Sequence, residues 1–200
     1  MDNYIFCRKK ALDSKTSENL VEFVERSHKL KNLRGYHYIN GNLRSPTFNF
    51  IRGVLISGIQ EYREDHPFLK KSVGDATLHL DPDFMIKKFF PGDYYDCTRF
   101  SDPKEAEHTE HGVDEDDSRR VLAWMFYLND IKIEGGTCWP QQGFTSKPEA
   151  GDLYIWPAGW THSHHGISAP RETKYILTGW TQYPVIDHSL SREEQEFAKL

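Results

Sequence analysis

The chain has 200 residues, of which 38% are hydrophobic and 14% aromatic, and its formal net charge is −5. A chain of this length is expected to fold as one domain, residues 1–200, and to bury about 70% of its unfolded surface without disulfides or structural metals. The charged residues form no basic block, which argues against general nucleic-acid binding through a basic stripe.

Residues 1–75 are predicted to form a mainly helical layer. The first helix covers residues 13–27, where Leu20, Phe23 and Val24 share one apolar stripe and Ser14 or Thr16 could cap the start. Residues 30–44 contain glycines and polar residues, which predict a loop with one strand. A second helix begins at the Ser-Pro pair 45–46 and runs to about residue 63, before the Asp-His-Pro sequence at 65–67 ends it.

Residues 76–183 change in character and predict a series of short strands. The segments with strand composition are 77–80, 84–90, 121–128, 137–140, 153–156 and 174–182. The segment 121–128 is apolar on both faces and is therefore expected to be a central strand. Residues 97–107 are predicted to be an inserted loop and 114–117 an acidic turn. Helices followed by many short strands predict an α+β fold with a sandwich or barrel core.

Residues 184–200 form a charged C-terminal tail with a helix signature, expected to pack weakly or on a partner. The cysteines, Cys7, Cys97 and Cys138, are scattered and include no Cys-x-x-Cys pair, which favours a reducing compartment. The N-terminus lacks the apolar region of a signal peptide, and the longest apolar run, 121–128, is too short for a membrane span. We therefore expect a soluble, cytoplasmic protein without membrane contacts.

The pair His108-x-Glu110 is the strongest candidate for a metal site. On an extended backbone both side chains point to the same side. A third ligand could come from the histidine cluster at 161–166, where His162 and His164 share one face of an extended chain. Two histidines and one carboxylate are the ligand set of non-haem Fe(II) oxygenases. A lone His-x-Glu is more often a surface pair, and the residues alone leave His162 and His164 as rivals.

The order of motifs over residues 84–182 resembles the Fe(II)- and 2-oxoglutarate-dependent oxygenases, in particular the prolyl-4-hydroxylase-like branch. The features that carry the resemblance are Phe-Pro-Gly at 90–92, His108-x-Glu110, the strand ending at Tyr127, Gly-Asp at 151–152, His-His-Gly at 164–166, Lys174 and Trp180. The resemblance implies a double-stranded β-helix, a jelly-roll-like pair of sheets, over residues 76–183. The N-terminal helices would pack on one of the two sheets.

The resemblance also implies roles for individual residues. It makes His108, Glu110 and His164 the iron ligands, and makes Lys174 the partner of the distal carboxylate of 2-oxoglutarate. The remaining matches are Tyr127 at the same carboxylate, Thr178 as a pocket hydroxyl and Trp180 lining the site. Strand alternation independently places Lys174, Ile176, Thr178 and Trp180 on one face, and a lysine among apolar residues requires an anionic partner. Most members carry aspartate where this chain has Glu110.

The implied activity is that of a dioxygenase that uses Fe(II), 2-oxoglutarate and O2, with ascorbate as a reductant. It would hydroxylate an unactivated C–H bond while it decarboxylates 2-oxoglutarate to succinate. The branch favours a prolyl residue of a peptide or protein as substrate. The alternatives are a small molecule such as a free amino acid, and a non-catalytic metal-binding jelly-roll module. The match at Lys174 favours the enzyme, because a non-catalytic module does not need a site for a diacid.

Overall fold

The structure is a computed structural model that describes residues 3–33, 36–73, 79–93, 108–110 and 117–183. The loop predicted at 97–107, His111, most of the acidic turn at 114–117 and the tail at 184–200 lie outside the described residues. The helices are α1 (Ser14–Arg26), α2 (Asn49–Asp65) and α3 (Pro67–Val73). The strands are β1 (Phe6–Arg8), β2 (Lys31–Leu33), β3 (Tyr36–Asn42), β4 (His79–Phe89), β5 (Arg120–Tyr127), β6 (Thr137–Trp139), β7 (Phe144–Thr145), β8 (Leu153–Pro157), β9 (His165–Gly166) and β10 (Lys174–Gln182).

The strands form two antiparallel sheets. In the large sheet the order is β1-β8-β5-β10-β4-β3-β2, and in the small sheet it is β7-β6-β9. Strand β5 pairs with both β8 and β10, so the apolar segment at 121–128 is an interior strand as its sequence predicted. None of the helices among the described residues has the length and apolar character needed to cross a membrane.

The two faces of the large sheet bury different partners, because side chains alternate along each strand. Leu122, Trp124 and Phe126 of β5 pack against the helices, in a cluster that includes Leu55 of α2. The opposite face carries Met125 and the other cleft-facing residues of β5, β8 and β10, which pack against Trp139 of the small sheet. The N-terminal helices therefore cover one face of the large sheet, as predicted, and a cleft lies between the two sheets.

The helices differ from the prediction in detail. Asp13, rather than Ser14 or Thr16, caps α1, and its Oδ1 accepts a hydrogen bond from the Thr16 amide at 2.8 Å. The buried stripe of α1 contains Ser17 in place of Phe23, which is 45% exposed. Before α2 begins, residues 46–48 form one 3-10 turn, and α3 was not predicted.

Gly58 has a packing role inside α2. A Cβ at this position would lie 2.7 Å from Cδ2 of Leu153, so glycine lets α2 approach strand β8 closely. The segment at 30–44 contains two strands rather than one, because β2 and β3 pair with each other and β3 also pairs with β4.

Strand β4 joins the two strands predicted at 77–80 and 84–90, as far as its described residues extend. Its pairing with β10 shifts register between Gly179 and Thr181, where Phe84 and Leu80 are the respective partners. The residues between them, 81–83, form a bulge opposite Trp180. The Asp-Pro-Asp sequence there explains why the sequence pattern looked like a break.

Candidate active site

Backbone pairing brings the His108 segment beside the His164 segment at the small sheet. The His108 amide donates to the His164 carbonyl at 2.9 Å, and the His164 amide donates to the His108 carbonyl at 2.9 Å. The Glu110 amide donates to the Ala158 carbonyl at 3.2 Å. These bonds hold residues 108–110 against residues 158–164, which come much later in the chain.

Three of the predicted residues form a compact donor set. Glu110 Oε1 lies 3.3 Å from His164 Nε2 and 3.6 Å from His108 Nε2. One ligand atom from each of His108, Glu110 and His164 lies within 4.8 Å of the other two. Two imidazoles and a carboxylate at one edge of a cleft leave coordination positions open on the other side. This arrangement fits a non-haem Fe(II) ion by the chemistry of its donors.

His164 is oriented for such a role, and His162 points elsewhere. His164 Nδ1 lies 3.0 Å from the His162 carbonyl, which can only accept, so Nδ1 carries a proton and Nε2 points towards Glu110. The His162 ring instead contacts the Asn3 carbonyl through Nε2 at 3.0 Å and Thr161 Oγ1 through Nδ1 at 3.0 Å. The structure thus places His164, and not its rival, in the donor set.

Glu110 is held as a carboxylate by its neighbours. Burial acts to raise the pKa of Glu110, but hydrogen bonds and charge from His108 and His164 outweigh burial and hold this pKa well below its ordinary value. The indole of Trp180 donates to Glu110 Oε2 at 2.9 Å. Arg120 donates to the Glu110 carbonyl at 3.0 Å, and its guanidinium lies 3.7 Å from the centre of the Trp180 ring. The hydrogen bond from Trp180 therefore fixes Oε2 of Glu110, while Oε1 faces the two histidines.

The donor set opens into a cavity between the sheets. The described residues that line it are Lys87, Phe89, His108, Glu110, Met125, Thr137, Trp156, His164, Gly166, Lys174, Ile176 and Thr178. Lys174 is 3% exposed, donates to the Ile167 carbonyl at 3.1 Å and lies 4.7 Å from the centre of the Phe89 ring. Burial, and then the charge of Lys87, lowers the pKa of Lys174 to about 8. Among the described residues, no carboxylate pairs with Lys174.

The other predicted residues are placed around this cavity rather than all on its surface. Thr178 lines the cavity, and its hydroxyl donates to the Trp124 carbonyl at 3.0 Å. Tyr127 lies behind Thr137, with its hydroxyl 3.0 Å from Thr137 Oγ1 and 2.7 Å from Ser146 Oγ. Trp180 contacts Glu110 instead of lining the cavity.

Sequence reasoning missed two cations of the site, Lys87 and Arg120. Lys87 could have been found from strand alternation, because Met85, Lys87 and Phe89 share one face of β4. Arg120 shows no local signal, since its partners Trp180 and Glu110 are brought to it only by folding.

Part of the sequence matches a known protein family. The model of the 2OG-Fe(II) oxygenase superfamily matches residues 95–182, the segment that carries the donor set and Lys174. This part of the chain is similar to the 2OG-Fe(II) oxygenase superfamily. That family uses Fe(II), 2-oxoglutarate and O2, and His108, Glu110 and His164 have the donor atoms to hold the metal. No curated protein sequence matches the chain.

Solved structures of prolyl hydroxylases are similar to this chain in fold. A viral collagen prolyl hydroxylase from Paramecium Bursaria Chlorella virus-1, in a 2-oxoglutarate complex, has a TM-score of 0.68 at 14% identity, covering 92% of this chain and 97% of its own. A Pseudomonas putida prolyl-4-hydroxylase has a TM-score of 0.65 at 15% identity, with 91% and 94% covered. A Trichoplax adhaerens prolyl hydroxylase, in complex with a hypoxia inducible factor peptide fragment, has a TM-score of 0.65 at 16% identity, with 90% and 84% covered. The double-stranded β-helix predicted for this chain is confirmed.

Proposed function

We propose that this protein is a 2OG-Fe(II) oxygenase that hydroxylates a prolyl residue of a peptide or protein. The observation that carries the proposal is a single cavity with the His108–Glu110–His164 donor set and the buried ammonium group of Lys174. A metal site next to an isolated buried cation fits a chelating diacid, because one end can bind the metal while the other end pairs with the lysine.

In this proposal His108, Glu110 and His164 hold Fe(II). The two imidazoles supply neutral nitrogen donors, and Glu110 supplies the negative charge that Trp180 keeps in position. The His162 carbonyl fixes the ring of His164 so that Nε2 is available. When bound, Fe(II) supplies the oxidative chemistry that couples decarboxylation of 2-oxoglutarate to succinate with hydroxylation of a C–H bond.

Lys174 binds the distal carboxylate of 2-oxoglutarate in this proposal. The ammonium group is already fixed by the Ile167 carbonyl and by the face of Phe89, so little side-chain freedom is lost on binding. Thr178 contributes the adjoining polar surface, while Tyr127 acts indirectly by holding Thr137 at the cavity wall. Met125, Trp156 and Ile176 provide apolar walls that exclude water from the reacting groups.

The choice of a prolyl substrate is supported by the fold shared with three prolyl hydroxylases, one of which was solved with a peptide fragment. The donor set is accessible from solvent at His108, whose side chain is 33% exposed. The oxygenase chemistry itself does not depend on this choice of substrate.

The test has two stages that can fail separately. Anaerobic protein is first titrated with Fe(II) and 2-oxoglutarate, and the metal-to-ligand charge-transfer band of the chelate is recorded. The band should appear for the natural protein and for His162→Ala, a matched control in the same cluster, and should be lost in His164→Ala. Absence of the band in the natural protein would overturn the enzyme proposal in favour of a metal-binding module.

The second stage adds O2 and a panel of proline-containing peptides. The expected result is succinate formation together with a peptide that gains the mass of one oxygen atom at proline. A normal charge-transfer band without oxidation of any prolyl peptide would overturn the prolyl substrate while leaving the oxygenase chemistry intact.

A further inference from the structure

A second lysine, Lys87, lies in the same cavity as Lys174. It belongs to the cleft face of β4, where Met85 and Phe89 are its neighbours on that face. In register it lies opposite Ile176, whereas Phe89 lies opposite Lys174. Lys87 is therefore displaced from Lys174 along the sheet, in the direction of Thr178 and Trp180. Since Trp180 contacts Glu110, this is the direction of the donor set.

The described residues give Lys87 an aromatic neighbour but no anionic partner. Its ammonium group lies 5.0 Å from the centre of the Tyr36 ring, and no described carboxylate lies within ion-pair distance of it. Burial lowers the pKa of Lys87; the charge of Glu110 opposes this effect, and the charge of Arg120 adds to it. Glu110 is the carboxylate that acts on Lys87, yet both of its oxygens already face the histidines and Trp180.

When the charges of the assembled site are paired, Lys87 remains without a counter-charge among the described residues. One carboxylate of 2-oxoglutarate is matched by Lys174, and the other is matched by the metal that the donor set holds. Lys87 is partly buried, and a partly buried cation without a counter-charge is unfavourable, so the site is suited to a ligand that brings the missing charge. The remaining ligand of this site is the substrate.

We propose that Lys87 binds a carboxylate of the substrate, so that the enzyme selects acidic substrates over their amides. The inference rests on the proposed function, because it assigns the diacid to Lys174 and the metal. The carboxylate can come from two sources, the free terminus of a C-terminal proline or an acidic side chain next to an internal proline. Either source would place the negative charge close to the C–H bond beside the donor set.

The experiment measures binding in the absence of turnover. Protein loaded with Mn(II) and 2-oxoglutarate under argon is titrated calorimetrically with two matched pairs of peptides. The first pair is Gly-Pro and Gly-Pro-amide, which tests the terminal carboxylate. The second pair is Gly-Pro-Glu-amide and Gly-Pro-Gln-amide, which tests the acidic side chain. The titrations are repeated without 2-oxoglutarate. This shows whether a peptide competes with 2-oxoglutarate for its site or binds beside it.

One acid should bind about ten- to a hundred-fold more tightly than its amide, as expected for a charge-assisted hydrogen bond. Lys87→Met should remove this preference and leave the affinity for 2-oxoglutarate within about threefold, whereas Lys87→Arg should keep the preference. The matched control is Lys88→Met, which removes the next lysine of β4, paired with Glu25 at 2.7 Å on the other face. This control should keep the preference for the acid.

Three results would overturn the proposal. They are an acid preference that survives Lys87→Met, equal binding of acid and amide in both pairs, and a loss of 2-oxoglutarate affinity of tenfold or more in Lys87→Met. The last result would assign Lys87 to the co-substrate. Failure of the proposed function is recognised separately, because it removes the charge-transfer band of the natural protein whatever the peptides do.

Discussion

Replacing Lys174 with methionine should stabilise the ligand-free protein while it weakens co-substrate binding. The ammonium group is buried, and its pKa is lowered from 10.5 to about 8 by burial and by the charge of Lys87. A tenfold change in an equilibrium constant corresponds to about 1.4 kcal/mol, so the protonated lysine destabilises the folded state by about 3 kcal/mol at neutral pH. Methionine has a similar length and no charge.

This increase in the free energy of unfolding is reduced because methionine cannot donate a hydrogen bond to the Ile167 carbonyl, which costs about 1 kcal/mol. We therefore expect Lys174→Met to raise the free energy of unfolding by about 2 kcal/mol at pH 7. Between pH 8 and 10.5 the unfolded chain keeps the lysine proton that the folded protein has released, so the stability of the natural protein rises with pH in this window. The advantage of the variant should be largest below pH 8 and should shrink towards pH 10.5.

Binding should respond in the opposite direction. The affinity of the natural protein for 2-oxoglutarate should be level below pH 8 and fall above it, because the diacid pairs with the protonated lysine. Lys174→Met should lower the affinity for 2-oxoglutarate by about ten- to a hundred-fold and leave Fe(II) binding unchanged.

Urea unfolding of the ligand-free proteins at neutral and alkaline pH measures the stability effect, and the charge-transfer titration measures co-substrate affinity. Lys88→Met serves as the control, because Lys88 pairs with Glu25 outside the cavity. A variant no more stable than the natural protein at pH 7 would refute the reasoning about the buried charge. An unchanged affinity for 2-oxoglutarate would refute the pairing with Lys174.

Three further predictions concern the metal donors and their support. His164→Ala should abolish stoichiometric Fe(II) binding in metal analysis, while His162→Ala should retain it; iron retained by the first variant would contradict the donor set. Glu110→Asp should keep measurable succinate formation and Glu110→Ala should not, and equal rates would move the ligand role to another carboxylate. Trp180→Phe keeps the ring under Arg120 but removes the hydrogen bond to Glu110 Oε2. Trp180→Phe should lower the affinity for Fe(II) by about tenfold, and an unaltered affinity would show that the indole does not position Glu110.

Several elements followed from local sequence because their cause is local. Strand β5 matches the segment at 121–128, and strand β10 has the predicted bounds at 174–182. Both segments are rich in β-branched and aromatic residues, which favour a strand conformation locally. The helix predicted from 45–46 to about residue 63 covers most of α2, whose residues Ile51, Leu55, Ile59 and Tyr62 recur at helical spacing and are buried.

Other features depended on pairings that no local pattern contains. The sequence predicted a break at 81–83, but pairing with β10 carries β4 through this segment as a bulge. Strands β2 and β3 were not distinguished within 30–44, because their pattern of glycines and polar residues is also that of a loop.

For the site, the sequence by itself determined the kinds of donor and their local spacing. His108-x-Glu110 and the alternation of Lys174 with Thr178 are properties of short extended segments, and a motif order along the chain linked them to one superfamily. The tertiary structure decided which groups meet. It selected His164 over His162 through one backbone carbonyl, engaged the Tyr127 hydroxyl with Thr137 and Ser146, and brought Lys87 into the cavity. Hydrogen-bond partners and burial are set by sheet register and by the packing of distant strands, so they exist only once the whole fold is formed.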